Sequence, residues 1–195
     1  VHHETSTGML NPIHEVGKLT AKYAKQFYVD AVSSLAADYV DVERNQIDFC
    51  TSSANKAIAG MCGLSFVCGK ISAFEGLKDV KSRTSYLNLY RHFQYQTELS
   101  QTPNTPSLTV LFALDAALDA ILATGLANKI GRCRHLAGIL REKLKSLGLH
   151  FVVPEEQMSN VLTTAYLPEG VVYDELRSRL KDRGYVIYGG KGPLE

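Results

Sequence analysis

One lysine, Lys56, follows an apolar segment that has the composition of a strand. Residues 47–50 lead into a polar turn, and the glycines at 60 and 63 then interrupt any helix. We therefore expect Lys56 at a strand-to-turn junction among small residues. An amine removed from water there holds its proton less tightly, and its lone pair attacks carbonyl carbons. The alternative is a surface lysine that keeps its charge in water.

Two carboxylates precede this lysine at equal spacings. Glu4 lies 26 residues before Asp30, and Asp30 lies 26 residues before Lys56 (30 − 4 and 56 − 30). Each interval has room for a turn, a helix or irregular stretch, and a strand. The three predicted strand ends therefore converge on one edge of a parallel sheet, where open α/β sheets bind ligands. Asp30 has a second interpretation, as a strand-end aspartate that caps the next turn.

Three segments resemble, in order and spacing, the motifs of class V pyridoxal-phosphate aminotransferases. They are His-Glu-Thr-Ser-Thr-Gly-Met-Leu-Asn-Pro at 3–12, Val-Asp-Ala-Val-Ser-Ser at 29–34 and Ser-Ser-Ala-Asn-Lys at 52–56. Tyr-Gly-Gly-Lys-Gly at 188–192 also resembles a late strand and turn of that family. Within the family, the chain looks most like the 2-aminoethylphosphonate:pyruvate transaminases. Alanine:glyoxylate and serine:pyruvate transaminases are near relatives.

The resemblance implies the α/β architecture of fold type I pyridoxal-phosphate transferases, which is aspartate aminotransferase-like. Such proteins have a mostly parallel sheet in a large domain and a small C-terminal α/β domain. We predict a boundary at Gly125, with residues 1–124 in the large domain and 125–195 in the small domain. The family also has a phosphate loop and a stacking aromatic earlier, and a carboxylate-binding arginine later. We therefore expect an internal fragment with both domains truncated, which is inactive by itself.

The resemblance also implies roles for five residues toward pyridoxal phosphate. Lys56 would hold the cofactor aldehyde covalently and move the substrate proton, and Asp30 would keep the pyridine nitrogen protonated. Val32 would lie beneath the ring. Thr5 would donate a hydrogen bond to the phenolic oxygen, and Asn55 would contact the phosphate, with a shorter side chain than the glutamine of some relatives.

A sixth residue, Thr105, lies in a proline-punctuated loop at 101–107. The resemblance implies that this loop crosses to a second subunit, where Thr105 contacts the cofactor phosphate of a homodimer with shared active sites. Thr102 stands where relatives often have an aromatic residue. The alternative is a loop that only caps the next helix.

The favoured function is transfer of the amino group of 2-aminoethylphosphonate to pyruvate, which yields phosphonoacetaldehyde and L-alanine in phosphonate catabolism. Alanine:glyoxylate or serine:pyruvate exchange is the alternative within the same chemistry. Outside it, a non-catalytic α/β binding domain is the remaining alternative, because a fold does not fix a function.

The composition narrows the classes of partner. The 195 residues are 45% hydrophobic and 21% charged, with a net charge of +1. No basic cluster is interleaved with aromatic residues and no apolar run reaches membrane-spanning length, so we expect neither a nucleic acid nor a membrane as a partner.

The four cysteines include no Cys-x-x-Cys pair, which favours reduced thiols in the cytoplasm. His2, His3 and His14 lack companions at ligand spacing, so we expect no metal and solvated or locally bonded histidines.

Periodicity and turn residues predict the remaining elements. The first helix starts at Asn11 and Pro12 and buries a stripe of Ile13, Val16, Leu19, Tyr23 and Phe27. The predicted strands are 27–29, a strand from Ile47, 64–67, 149–153, 161–167 and 185–188. The other predicted helices are one around 86–93, 108–123, 126–147 closed by Gly148, and 173–183.

Overall fold

Six helices and three strands make up the regular structure of the computed structural model, which describes residues 1–190. In chain order these elements are α1 (Ile13–Lys22), β1 (Tyr28–Asp30), β2 (Phe49–Ser53), β3 (Ser65–Gly69), α2 (Ile71–Glu75), α3 (Leu89–Leu99), α4 (Leu108–Thr124), α5 (Leu126–Ser146) and α6 (Tyr173–Lys181). A short 3₁₀ turn, Glu155–Gln157, lies between α5 and α6. The predicted α/β class is confirmed.

The three strands form one mixed sheet in the order β1-β2-β3. β1 and β2 are parallel, with Asp30 opposite Thr51, and β2 and β3 are antiparallel, with Phe49 opposite Gly69. A Cβ at Gly69 would lie 2.2 Å from the carbonyl oxygen of Asp48, so only glycine fits at this position. The strands predicted near residues 27–29, after 47 and at 64–67 are therefore confirmed, each displaced by one or two residues.

The main apolar core lies between α1 and the sheet, where Ile13, Phe27, Val29, Ile47 and Cys50 are buried together. Because those side chains are removed from water, they supply the main drive for docking α1 on the sheet.

The predicted buried stripe of α1 is only partly correct: Ile13 and Phe27 are buried in the core, but the three residues between them are not. Val16, Leu19 and Tyr23 are 37%, 55% and 60% exposed, and the helix ends at Lys22. At Gly17 the helix instead lies directly against the backbone of Asn45. A Cβ at Gly17 would be only 2.0 Å from the carbonyl oxygen of Asn45. This close backbone approach rotates the larger apolar residues outward, and an apolar periodicity cannot reveal it.

The two long helices end at the glycines that the sequence predicts. α4 and α5 meet at Gly125, which has φ +84°, and the two axes differ in direction by 86°. α5 is closed by Gly148 at φ +80°, where the Leu149 N–H donates to the Leu144 carbonyl over 3.1 Å. Within residues 1–190, no single helix has the length and apolar composition of a membrane span. Only the sharply bent pair of α4 and α5 reaches those criteria jointly.

The C-terminal part contains less strand than predicted. Segments 149–153 and 161–167 pair only through an antiparallel bridge between Phe151 and Ala165, and 185–188 forms no strand within the described residues. Alternating apolar residues favour extended chain, but a strand also needs a partner for its backbone groups. The predicted helix at 173–183 is confirmed as α6. The predicted turn at 191–192 lies outside the described residues.

Candidate active site

Asp30 and Lys56 lie at the same edge of the sheet. Asp30 is the last residue of β1, and Lys56 follows the last residue of β2, Ser53, by three positions. Because β1 and β2 run parallel, both residues emerge at the carboxyl ends of neighbouring strands. Glu4 does not end a strand, but the N-terminal segment reaches this edge because the His2 N–H donates to the Asp30 carbonyl over 2.8 Å.

The Asp30 carboxylate has one fixed and one free oxygen. Oδ1 accepts a 2.9 Å hydrogen bond from the Val32 N–H, while no residue within 1–190 donates to Oδ2. The capping interpretation of Asp30 therefore describes one oxygen correctly. The second oxygen of this half-buried carboxylate remains available for a ligand.

Lys56 is exposed, so the expectation that it is removed from water is wrong for this chain. The turn that carries it closes through its own backbone. The Gly60 N–H donates to the Ala54 carbonyl over 2.8 Å, and the Ala59 N–H donates to the Lys56 carbonyl over 2.9 Å. This compact turn leaves the side chains of Asn55 and Lys56 facing solvent.

Thr5 lies in a tight turn that the Glu4 carboxylate holds. The carboxylate accepts hydrogen bonds from the N–H groups of Ser6 and Thr7, both 2.8 Å, and from the Thr7 hydroxyl, 2.6 Å. The bond from the Thr7 hydroxyl, followed by those from the backbone, lowers the pKa of Glu4 to about 2. Thr5 itself is exposed, and its hydroxyl has no hydrogen-bond partner within residues 1–190.

Two histidines beside this turn are buried, contrary to the expectation of solvated or locally bonded side chains. His2 Nδ1 lies 2.9 Å from the Ser34 hydroxyl, and His3 Nδ1 lies 3.3 Å from the Ser33 carbonyl. Burial, with a smaller effect of the neighbouring His3, lowers the pKa of His2 to about 4. His2 is therefore neutral at pH 7 and anchors the N-terminal segment to the turn after β1. No group of three metal-binding side chains occurs in the part of the chain described.

Val32 and Thr105 line one open groove of about 1750 Å³, together with Ser52 of β2, Phe66 of β3 and Phe93 of α3. The turn after β1 and the loop before α4 therefore line the same groove. The side chains of Thr5, Asp30, Asn55 and Lys56 are not among its lining residues.

The loop that carries Thr105 does not behave as a simple helix cap. Thr105 is exposed, and Ser107, at the N-cap of α4, makes no side-chain capping bond. Thr102 bonds within its own loop, where its hydroxyl donates to the Asn104 carbonyl over 2.7 Å.

A second polar cluster, which no sequence pattern predicts, contains Asp38, Arg141 and Asn160. Asp38 Oδ1 accepts a 3.0 Å bond from the Asn160 N–H, and Asn160 Nδ2 donates to the Ala37 carbonyl over 2.9 Å. Burial raises the pKa of Asp38. These partners are 122 residues apart in the sequence, so no local pattern could predict them.

The polar groups left without partners fit pyridoxal phosphate. Asp30 Oδ2 can accept from a protonated pyridine nitrogen, and the Thr5 hydroxyl can donate to a phenolic oxygen. Ser53 Oγ is buried with no hydrogen-bond partner in the described region, three residues before Lys56. A buried hydroxyl without a partner is costly, which favours a ligand or water at this position.

Comparison with known proteins identifies the relatives of the chain. The family model "Aminotransferase class-V" matches residues 1–192. An uncharacterized aminotransferase of Methanocaldococcus jannaschii is 36% identical over 191 residues, covering 97% of this chain and 50% of the relative. A 2-aminoethylphosphonate–pyruvate transaminase of Lysinibacillus sphaericus is 35% identical over 195 residues, covering 98% and 52%.

The solved structures agree. An alanine–glyoxylate aminotransferase from Nostoc sp. superimposes with a TM-score of 0.90 at 28% identity, covering 99% of this chain and 52% of that one. The predicted fold, that of fold type I pyridoxal-phosphate transferases, is therefore confirmed. The chain spans about half the length of the curated relatives it matches. With its family model matched along almost the whole sequence, the chain belongs to the class-V aminotransferases.

Proposed function

We propose that the whole protein is a pyridoxal-phosphate-dependent aminotransferase that transfers the amino group of 2-aminoethylphosphonate to pyruvate, giving phosphonoacetaldehyde and L-alanine. The observation that carries this proposal is the 35% identity to a 2-aminoethylphosphonate–pyruvate transaminase over 195 residues. The paired placement of Asp30 and Lys56 at the carboxyl ends of β1 and β2 supports it. Membership of the class-V family implies pyridoxal phosphate as the cofactor.

The chain's own residues have distinct proposed tasks. Lys56 would hold the cofactor aldehyde, and its amine would carry a proton to and from the substrate carbon. Asp30 would hold a proton on the pyridine nitrogen through the free Oδ2, while the Val32 N–H fixes its orientation. When bound, the cofactor supplies an electron sink for the negative charge that develops on the substrate carbon.

The remaining contacts orient the cofactor. The Thr5 hydroxyl would donate to the phenolic oxygen, and Asn55 would bind the phosphate. Val32 would pack beneath the ring. Thr105 would contribute a phosphate contact in the second subunit of a homodimer, which makes each active site depend on both chains.

Alanine:glyoxylate exchange is the second candidate, because a solved alanine–glyoxylate aminotransferase has the same fold at a TM-score of 0.90. Serine:pyruvate exchange remains an alternative within the same chemistry. A non-catalytic binding domain is disfavoured by the joint presence of Asp30 and Lys56 at one sheet edge.

The division into domains at Gly125 and the cytoplasmic location are also proposals. The bend of 86° between α4 and α5 at Gly125 supports the first. The second is supported by the four cysteines, which form no disulfide within residues 1–190.

The test is a comparison of amino donors and acceptors with the purified whole protein. We would follow alanine formation from pyruvate with 2-aminoethylphosphonate or serine, and glycine formation from glyoxylate with alanine. The proposal expects kcat/KM for 2-aminoethylphosphonate to exceed that for the other donors by at least about a hundredfold, the discrimination that a site built for a polar group can give. A higher kcat/KM for alanine with glyoxylate would assign the second candidate instead.

A further inference from the structure

Arg141 of α5 is a buried guanidinium, only 7% exposed. Its Nε donates to the Thr163 hydroxyl over 3.0 Å, and its Nη2 donates to the carbonyls of Ser159 and Leu162. Burying an arginine is costly unless its donors are satisfied. Here two of the three acceptors are backbone carbonyls, and all three acceptors lie in residues 157–164, which form no regular strand. We call residues 157–164 the clamp segment.

The clamp segment holds the turn that carries Thr5. The Leu10 N–H donates to the Gln157 carbonyl over 2.7 Å, and the Thr164 hydroxyl donates to the Ser6 carbonyl over 3.0 Å. Met9 pairs with Met158 in an antiparallel bridge. The turn is therefore fixed on one side by the Glu4 carboxylate and on the other side by the clamp segment.

Two residues connect Arg141 directly to this turn. The Ser159 N–H donates to the Gly8 carbonyl over 2.8 Å, while the Ser159 carbonyl accepts from Arg141. The Leu162 carbonyl also accepts from Arg141, and it would lie 2.9 Å from a Cβ at Gly8, which has φ +85°. Loss of the guanidinium would thus remove the donor to the buried carbonyl of Ser159 and to the partly buried carbonyl of Leu162, next to the turn.

We infer that Arg141 is a positioning residue for Thr5. It holds the clamp segment where that segment fixes the turn around Thr5, and so it sets the direction of the Thr5 hydroxyl, which has no partner within residues 1–190. The inference rests on the proposed function, in which that hydroxyl meets the phenolic oxygen of the cofactor.

The experiment uses the whole protein and four variants. Arg141→Met keeps the alkyl chain and removes all donors, and Arg141→Lys retains the charge with fewer donors. Arg134→Met is the matched control, because Arg134 lies two turns earlier on α5 and is exposed. Thr5→Ala is the reference for loss of the hydroxyl.

Amide hydrogen exchange of the cofactor-free protein is the first measurement. The inference expects exchange at residues 4–10 to speed up about tenfold or more in Arg141→Met and less in Arg141→Lys, with β1 and β2 unchanged in both variants. Arg134→Met should match the wild type. Unchanged exchange at residues 4–10 in a folded Arg141 variant would overturn the inference. If Arg141→Met does not fold, Arg141→Lys decides.

The second measurement is the pH dependence of the absorbance of the bound cofactor, together with kcat and KM. Both Arg141 variants should shift this titration in the same direction as Thr5→Ala and lower kcat more than they raise KM. A faster exchange without that shift would overturn the positioning of Thr5. If the wild type binds no cofactor, the proposed function fails, and the exchange data still decide whether Arg141 holds the turn.

Discussion

The backbone N–H of Val32 donates a 2.9 Å hydrogen bond to Oδ1 of Asp30, which ties the carboxylate to the turn after β1. The two oxygens of this carboxylate therefore have different roles. Oδ1 stabilises the turn, and Oδ2 offers negative charge at the edge of the sheet. Replacement by asparagine keeps an oxygen acceptor for the Val32 N–H but removes the charge, so this substitution separates the two effects.

Asp30→Asn should therefore leave the whole protein folded and able to bind cofactor, while turnover falls by at least about a hundredfold. A neutral amide cannot keep the pyridine nitrogen protonated, and this interaction matters most in the transition state. Steady-state kinetics and cofactor absorbance measure the two effects. Asp41→Asn is the matched control, because Asp41 caps the Arg44 N–H over 2.8 Å in another turn. Near-normal turnover in Asp30→Asn would remove the proposed role.

Borohydride reduction of the whole protein should fix the cofactor to the peptide that contains Lys56, as mass mapping would show. Lys56→Ala should yield no fixed cofactor, because no other amine is proposed to hold the aldehyde. Lys70→Ala is the control, since Lys70 pairs with Asp48 over 2.9 Å at the surface and such pairs contribute about 1 kcal/mol or less. An adduct on another peptide would show that the assignment of Lys56 is wrong.

The sequence predicts elements whose signals are local. Gly125 and Gly148 mark the ends of α4 and α5 correctly, since a left-handed residue stops a helix whatever packs around it. β1 and β2 were predictable because short apolar runs lead into polar turns at Asp30 and Ser53.

The features that the sequence does not reveal depend on distant partners. The bond from Asn160 to Asp38 and the contacts of Arg141 join segments far apart in the chain. The inward face of α1 depends on the backbone of Asn45 meeting Gly17. In each case the deciding group lies outside the window in which periodicity is read.

Glu4→Gln should destabilise the whole protein by about 1 kcal/mol at pH 7, because the amide has one acceptor oxygen in place of two and loses at least one of the three hydrogen bonds, at a site that is partly exposed. The folded pKa of about 2 lies below the ordinary 4.5, so the stabilising effect is present above pH 4.5 and is lost as the pH falls toward 2. Guanidinium unfolding at pH 7 and pH 3 measures both. Glu15→Gln is the control, because Glu15 is an exposed residue of α1. An equal loss at both pH values would contradict the role of the charge.

Gly17→Ala should destabilise the protein by about 1–3 kcal/mol, because the new Cβ would meet the carbonyl oxygen of Asn45 at 2.0 Å. Gly131→Ala on α5 is the matched control, since no atom of residues 1–190 lies within 4 Å of its Cβ position. That substitution should instead stabilise the helix by about 0.5–1 kcal/mol. Chemical denaturation of both variants measures the difference. Equal effects of the two alanines would show that α1 does not rest on Asn45.

The shared active site can be tested by mixing two inactive variants. If Thr105 contacts the cofactor phosphate in the partner subunit, Lys56→Ala and Thr105→Trp each disable both sites of their own homodimer. A mixed dimer has one site that combines an intact lysine with an intact threonine from opposite chains. After subunit exchange at equal amounts, about a quarter of all sites should be intact, with activity returning in proportion.

A double variant, Lys56→Ala with Thr105→Trp, is the control for this mixing experiment. Mixed with Lys56→Ala, it offers no site with an intact lysine, so no activity should return even though dimers exchange. Native mass spectrometry would establish that the mixed dimers have formed in both cases. If they form and the first mixture stays inactive, Thr105 does not act across the interface. Thr105 would then only line the groove of its own chain, together with Val32.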